Sequence, residues 1–326
     1  MPKVLIAPMT LADVGGTFAD RLRAAGFELV YPSRAAQLNE EELLHTLKGV
    51  SASLAGSEPY TRRVIEANPA LRVIARVGVG YDAVDLKGAT DHGIAVTIAP
   101  GTNHDAVAEH TFCLLLALAK RLIPQDLATK AGSWPRQTNL PLRGRTLGLI
   151  GLGRIGKAVA LRGVCFGMPV IAYEPFPDKE FVKKHEIQLL PLDKVFAESD
   201  YLSLHVPLTP ESRHMVNRRT LALMKPTAFL INTARGGMVC EADLVEALRD
   251  KRIAGAGLDV FEQEPPGQSP LFQLDNVVLT PHIAGGDLRS RDDMAAAAAS
   301  AIVALSRGEW PAEQVVNPEV RGRFKW

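Results

Sequence analysis

Three polar residues, each just downstream of a run of strand type, are the first candidates for chemistry. They are Arg235 in Asn232-Thr233-Ala234-Arg235-Gly236-Gly237, Glu264 in Leu258-Asp259-Val260-Phe261-Glu262-Gln263-Glu264-Pro265-Pro266, and His282 in Thr280-Pro281-His282-Ile283-Ala284-Gly285-Gly286. An arginine can hold a carboxylate through two parallel hydrogen bonds and polarise a neighbouring carbonyl. A histidine titrates near neutral pH, so it can give a proton to a developing alkoxide or take one from an alcohol. An acid behind it fixes its tautomer and favours its charged form. Each residue also has a plainer reading: Arg235 as a surface or capping cation, His282 as a hydrogen-bonded structural residue, Glu264 as a solvated loop acid.

Their position behind a dinucleotide fingerprint favours the chemical reading. Gly151-Leu152-Gly153-Arg154-Ile155-Gly156 follows a strand-like run and opens a helical stretch over 155–166. In that setting Gly151 permits the tight turn, Gly153 lets backbone approach a pyrophosphate, and Gly156 allows close packing of helix on strand. Arg154 adds a cation beside the phosphates. The next strand-like run, Val170 to Tyr173, ends at Glu174, which lies 23 residues after Gly151; an acid at about 20 residues is the second half of the signature. Glu174 can accept both ribose hydroxyls and would repel a 2′-phosphate, and Pro175-Phe176-Pro177-Asp178 offers no arginine to receive one. The expected cofactor is therefore NAD rather than NADP. No spacing of metal ligands occurs.

The elements that must position these groups alternate between short β-branched runs and helix-length segments, the pattern of a parallel α/β fold. The first series of strands is 4–7, 27–31, 72–77 and 94–97; the second is 146–150, 170–173, 201–205, 228–232, 255–259 and 277–280. Asp105 to Leu122 reads as a helix that crosses between domains. Asp287 to Arg307 reads as a second long helix, stopped by Gly308, that returns the chain so that Val315 to Trp326 rejoins the N-terminal domain. The expected boundaries are 1–100 and 288–326 for a discontinuous domain and 101–287 for the inserted one.

Composition limits the alternatives. The 326 residues suit two domains of roughly 150 residues each, with 47% hydrophobic and 22% charged residues as in a globular protein. A formal charge of +1 provides no global field for nucleic acid or anionic membrane. The longest apolar stretch, Thr111 to Ala119, falls well short of the roughly 20 residues of a membrane span. Cys113, Cys165 and Cys240 match neither a disulfide framework nor a zinc site, and Pro8 interrupts the apolar N-terminal run, so a cytosolic protein is expected. Of the remaining histidines, His45, His92, His185 and His214 are expected to face solvent, His205 to border the cofactor, and His104 and His110 to cap, pack or touch substrate.

Taken together the residues resemble the D-isomer-specific 2-hydroxyacid dehydrogenase family over almost the whole chain. The segments that carry the resemblance are Arg76-Val77-Gly78-Val79-Gly80-Tyr81-Asp82, Val107-Ala108-Glu109-His110-Thr111, the run from Leu149 to Gly156, Ala234-Arg235-Gly236-Gly237, Leu258-Asp259-Val260-Phe261, Glu264-Pro265-Pro266 and Pro281-His282. The resemblance implies two Rossmann-like doubly wound parallel sheets, with the cofactor domain inserted into a flavodoxin-like substrate domain, and a homodimer formed largely through the cofactor domains. It implies that Arg235 binds substrate, His282 is the acid/base and Glu264 is its partner. Arg154, Ile155, Glu174, Val206, Thr233 and Ala234 would border NAD, Asp259 and Gly285 would lie near the nicotinamide, and backbone amides around Val79 and Gly80 would hold the substrate carboxylate. The substrate would be a small D-2-hydroxy or 2-keto acid.

Within the family, Ala55-Gly56-Ser57-Glu58-Pro59-Tyr60 looks most like phosphoglycerate dehydrogenases, which makes 3-phosphoglycerate a candidate, with Arg62 or Arg63 available for its phosphate. Glyoxylate or hydroxypyruvate reduction is the competing activity, and a dinucleotide-sensing corepressor the rival of another class. Glu174 stands where an aspartate is commoner, and Asp287 replaces a common threonine.

Overall fold

The computed structural model describes residues 1–12, 14–33 and 36–326. Its chain divides into two compact units, Met1–Asn103 with Gly286–Trp326, and His104–Gly285. The breaks fall after Asn103 and Gly285, where the sequence reading put them after 100 and 287.

The first unit is built on a parallel sheet of β1 (Lys3–Ile6), β2 (Glu28–Val30), β3 (Ala52–Ala55), β4 (Val73–Arg76) and β5 (Ala95–Thr97). Their order, β2-β1-β3-β4-β5, is the flavodoxin-like one. Alternate residues point to opposite faces, so Val4, Ile6, Leu54 and Val73 enter one buried cluster while Leu5, Ala55, Ile74 and Val96 enter another. Helices cover both faces, which is why these strands carry no polar side. The tail is tied in: the Val316 N–H donates to the Val96 carbonyl (2.9 Å), and the Val96 N–H to the Asn317 side chain (2.9 Å). The long helix Leu288–Ser306 begins at Asp287, whose carboxylate accepts from the Ser290 N–H at 2.6 Å, so the unusual aspartate is a helix cap. Gly308, with φ of 79°, follows its end.

The second unit holds β6 (Leu147–Ile150), β7 (Val170–Tyr173), β8 (Gln188–Leu189), β9 (Tyr201–Leu204), β10 (Phe229–Asn232), β11 (Gly255–Leu258) and β12 (Val277–Leu279), in the order β12-β11-β10-β9-β6-β7-β8. Counted from β6 this is the Rossmann order with one strand added. Two apolar clusters again lie on its faces.

Two strands and one helix depart from the sequence reading. β3, Ala-Ser-Leu-Ala, contains no β-branched or aromatic residue, and it is a strand because every residue is buried beside β1 and β4. β8 is a two-residue edge strand, too short to leave a periodic signal. The helix expected to run to Leu122 ends at Ala119, Arg121 turns left-handed at φ of 49°, and a second helix runs from Leu122 to Lys130. The three cysteines are free. No described helix is long and apolar enough to cross a membrane, and among the described residues no cluster of His, Cys, Asp or Glu could hold a metal.

Candidate active site

In an open parallel sheet, ligands bind beyond the carboxyl ends of the strands where the strand order reverses. In the second unit that point lies between β6 and β9. Gly151, just after β6, has φ of 99°, and a Cβ there would lie 2.6 Å from the His205 carbonyl oxygen and 2.8 Å from Val206. Glycine is thus required both by conformation and by the approach of the loop after β9. A Cβ on Gly156 would meet the Gly151 carbonyl at 2.2 Å, which fixes the helix Arg154–Cys165 close against the turn. A Cβ on Gly153 would instead meet nothing within 4 Å, and no side chain caps the helix there. The result is an open cradle at a helix N-terminus, with first-turn N–H groups and positive potential available to an anion. Arg154 is exposed beside it, and Ile155 packs onto the core.

Glu174 follows β7 directly. Its two oxygens accept from the Leu152 N–H (2.8 Å) and the Phe176 N–H (3.0 Å), which fixes the carboxylate against the glycine turn and leaves further acceptor capacity on each oxygen. Lys157, a cation of the same helix, is paired with Asp178 at 2.6 Å and lies over the Phe181 ring. The cradle, the helix start and the anchored acid fit the pyrophosphate and ribose of NAD. His205 lies beneath the turn, its Nε2 2.9 Å from Ser203 Oγ, with Nδ1 buried and unpartnered among the described residues. Burial pushes its pKa down to about 3, so this imidazole is neutral at physiological pH.

Arg235, Glu264 and His282 come from the loops after β10, β11 and β12. His282 Nδ1 lies 2.6 Å from Glu264 Oε2, while Glu264 Oε1 accepts from the Phe261 N–H at 3.0 Å. Burial alone would raise the Glu264 pKa. The hydrogen bond and charge of His282, the Phe261 N–H and the charge of Arg235 outweigh it, and the carboxyl is held below its ordinary value. An ionised carboxylate only accepts, so Nδ1 of His282 carries the hydrogen and Nε2 is the atom left for proton exchange. The His282 side chain keeps 39% of its surface exposed, enough for that nitrogen to meet a ligand.

The loops interlock through Gly236. A Cβ there would fall 1.9 Å from the Phe261 carbonyl, so the turn carrying Arg235 lies directly on the peptide that leads to Glu264. Asn232, fully buried at the end of β10, closes that turn from inside: its side-chain oxygen accepts from the Ala234 N–H (3.0 Å) and its amide donates to the Arg235 carbonyl (2.9 Å). His282 has φ of 54°, a conformation costing a non-glycine residue about 1–3 kcal/mol unless its surroundings hold it. Asp259 holds it. The Asp259 carbonyl accepts from the His282 N–H (2.8 Å), and its fully buried carboxylate accepts from the Thr280 hydroxyl (2.6 Å) and from the Ile283 and Ala284 N–H groups (2.9 Å each).

Of the residues singled out in the sequence, the three glycines, Arg154, Ile155, Glu174 and Val206 gather at the β6–β9 crevice, and Thr233, Ala234 and Gly285 belong to the loops of the Arg235–Glu264–His282 group. Asp259, expected beside the nicotinamide, spends its carboxylate beneath the His282 turn. Val79 and Gly80 lie in the first unit, in the bend after β4, where the Gly80 carbonyl accepts from Arg76 Nε at 2.8 Å. Three histidines expected in solvent have partners: His92 with the Gly88 carbonyl, His185 with the Phe181 ring and His214 with Glu262 at 2.6 Å. Asn232 and Thr280 were not singled out individually. The available signal was a polar residue closing an otherwise apolar strand.

A model of the D-isomer specific 2-hydroxyacid dehydrogenase NAD-binding domain matches residues 112–284. A glyoxylate reductase of Korarchaeum cryptofilum is 44% identical over 271 residues, covering 81% of each chain. A D-3-phosphoglycerate dehydrogenase of Methanocaldococcus jannaschii is 42% identical over 287 residues, covering 87% of this chain and 55% of that one. The crystal structure of the TT0316 protein of Thermus thermophilus superimposes with a TM-score of 0.85 at 38% identity, covering 97% of this chain and 100% of the other. The chain belongs to the D-isomer specific 2-hydroxyacid dehydrogenase family and is an NAD-dependent oxidoreductase of small hydroxy acids.

Proposed function

We propose that the protein reduces a small, unphosphorylated 2-keto acid of the glyoxylate or hydroxypyruvate type, with His282 as acid/base, Glu264 as its partner and Arg235 as the substrate anchor. The observation that carries the reading is the 2.6 Å contact between His282 and Glu264 on a turn held at positive φ. NADH, which the glycine turn, the helix N-terminus at Arg154 and Glu174 would hold, would supply the hydride that reduces the carbonyl carbon. As that carbon is reduced, the His282 imidazolium gives its Nε2 proton to the carbonyl oxygen, and Glu264 stabilises the cation before transfer. Arg235 holds the carboxylate and polarises the carbonyl beside it. In the oxidative direction neutral His282 takes the hydroxyl proton. The anchored Glu174 favours NAD over NADP by charge repulsion.

The glyoxylate reading replaces 3-phosphoglycerate for two reasons. The Korarchaeum relative named a glyoxylate reductase matches over a larger share of its own length than the phosphoglycerate dehydrogenase. The arginines considered for a phosphate are also engaged: Arg62 pairs with Asp91 (3.2 Å) and Asp85 (3.3 Å), and Arg63 with Glu41. A homodimer is part of the same reading, since Leu122, Ile123, Leu127 and Trp134 expose apolar surface that a second copy would cover. Steady-state assays with glyoxylate, hydroxypyruvate and 3-phosphohydroxypyruvate, each with NADH and NADPH, test the proposal. Glyoxylate or hydroxypyruvate with NADH should give the highest kcat/KM. A preference for the phosphorylated acid would reject the substrate reading, and NADH binding without turnover of any acid would support the corepressor.

A further inference from the structure

The helix His104–Ala119 is apolar along most of its length, yet it carries His110 and Thr111 side by side in its middle. Both reach loops that bear reacting groups. His110 Nε2 lies 2.9 Å from Thr280 Oγ1, two residues before His282. Thr111 Oγ1 lies 3.0 Å from Thr233 Oγ1, two residues before Arg235. One turn of one helix therefore touches both loops at the same offset from the residue that does the chemistry.

The direction of each bond follows from counting protons. Thr280 has one hydroxyl hydrogen and points it at Asp259 Oδ1 (2.6 Å), so it accepts from His110, whose Nε2 must carry a hydrogen. Thr111 gives its hydroxyl hydrogen to the Val107 carbonyl (2.8 Å), so in its contact with Thr233 it accepts. Thr111 is fully buried and Thr233 nearly so, so a donor orphaned there would find no water in exchange. The two contacts form separate chains. His110 reaches the Asp259 carboxylate both through Thr280 and directly, its Nε2 lying 3.6 Å from Oδ1, and that carboxylate holds the Ile283 and Ala284 N–H groups around His282. Thr111 runs through Thr233 to the turn that Asn232 closes around Arg235.

We propose that His110 and Thr111 are a pair of positioning residues that set the register of the two reacting loops independently, His110 for His282 and Thr111 for Arg235. The inference rests on the roles proposed above for those two residues. Neither helical residue exchanges a proton with substrate. His110 acts through Thr280 and Asp259 and Thr111 through Thr233, and the two should separate in the kinetic parameters they move.

The test uses the full chain and the 2-keto acid it turns over fastest. His110→Ala should lower kcat about tenfold and displace the pH profile of kcat while leaving KM for the acid within about twofold, the loss expected for one buried hydrogen bond. Thr111→Val should raise KM for the acid about tenfold and leave the pH profile in place. His110→Gln, which keeps a donor, and Thr111→Ser, which keeps the acceptor, should recover most of each loss. Breaking the same contacts from the other side, with Thr280→Val and Thr233→Val, should reproduce the same separation even where one helical variant folds poorly. NADH affinity, measured by fluorescence, should stay within about twofold for His110→Ala, because His110 touches neither the glycine turn nor Thr233. Parallel losses in kcat, KM and melting temperature, without recovery by Gln or Ser, would overturn the inference. His282→Ala and Arg235→Gln serve as controls: if they keep turnover, the proposed function fails; if they lose it while the separation is missing, only the positioning pair fails.

Discussion

Glu58 in the first unit and Glu264 in the second are both glutamates in loops at the carboxyl ends of parallel strands, and their protonation equilibria move in opposite directions. Glu58 is 1% exposed, and burial raises its pKa even though it accepts from the Gly56 N–H and feels Arg76. Nearby, the Tyr60 hydroxyl is spent on Ser53 at 2.6 Å. Glu264 also loses hydration, but His282 at 2.6 Å, the Phe261 N–H and the charge of Arg235 together outweigh that loss and hold its pKa below the ordinary value. Glu58 and Tyr60 meet partners within their own loop and sheet, whereas His282, with Nδ1 given to Glu264, keeps Nε2 for a ligand. Two doubly wound sheets of similar design thus place strand-end glutamates in opposite electrostatic settings: topology puts both at the carboxyl ends of strands, and only the one with a histidine partner is suited to proton transfer.

Beyond the acid/base itself, the comparison can be broken first at the substrate anchor. Arg235→Gln keeps a hydrogen-bond donor but removes the charge and the two-pronged grip, so kcat/KM for the keto acid should fall about 100-fold, as loss of a charge-assisted pair implies. Retention of activity within a few fold would remove the second unit's main claim on substrate.

A smaller effect is expected from His205. Its pKa of about 3 in the folded protein lies below the 6.5 of an unperturbed histidine. Between those values the unfolded chain binds a proton that the native one does not, so stability falls as pH drops through that window, by up to about 1.4 kcal/mol per pH unit. Above pH 6.5 this group adds no slope. Denaturant melts from pH 7 to 4 should show a shallower acid dependence in His205→Gln than in the parent. An equal slope would mean that the imidazole is not enclosed as described.

The smallest effect belongs to the first unit. Arg62→Ala and Arg63→Ala remove cations whose partners are exposed acids, and kcat/KM for an unphosphorylated acid should change by less than about twofold. A large loss confined to a phosphorylated acid would restore the phosphate-binding expectation and sharpen the comparison the other way.

Much of this was legible in the residue order. The strand-like runs ending at Gly151, Glu174, Arg235 and His282 are apolar because both sheet faces are covered, and polar residues stand out where such runs stop. β3 was not legible, because alanine and serine become strand only through burial beside β1 and β4. The contacts of His110 and Thr111 join residues more than a hundred positions apart, and the partners of Asp259 lie across a loop more than twenty positions on; no periodicity encodes either. The glycine requirement at position 236 is of the same kind: the atoms that would clash belong to Phe261 and Glu262.

The central claim, that His282 passes the proton while the β6–β9 crevice independently holds the nucleotide, is tested most directly by measuring NADH affinity and keto-acid turnover together in His282→Ala. The account predicts an NADH Kd within about threefold of the parent and turnover reduced about 1,000-fold, the scale of a lost general acid. Turnover kept within tenfold, or NADH binding lost in parallel with it, would contradict the account.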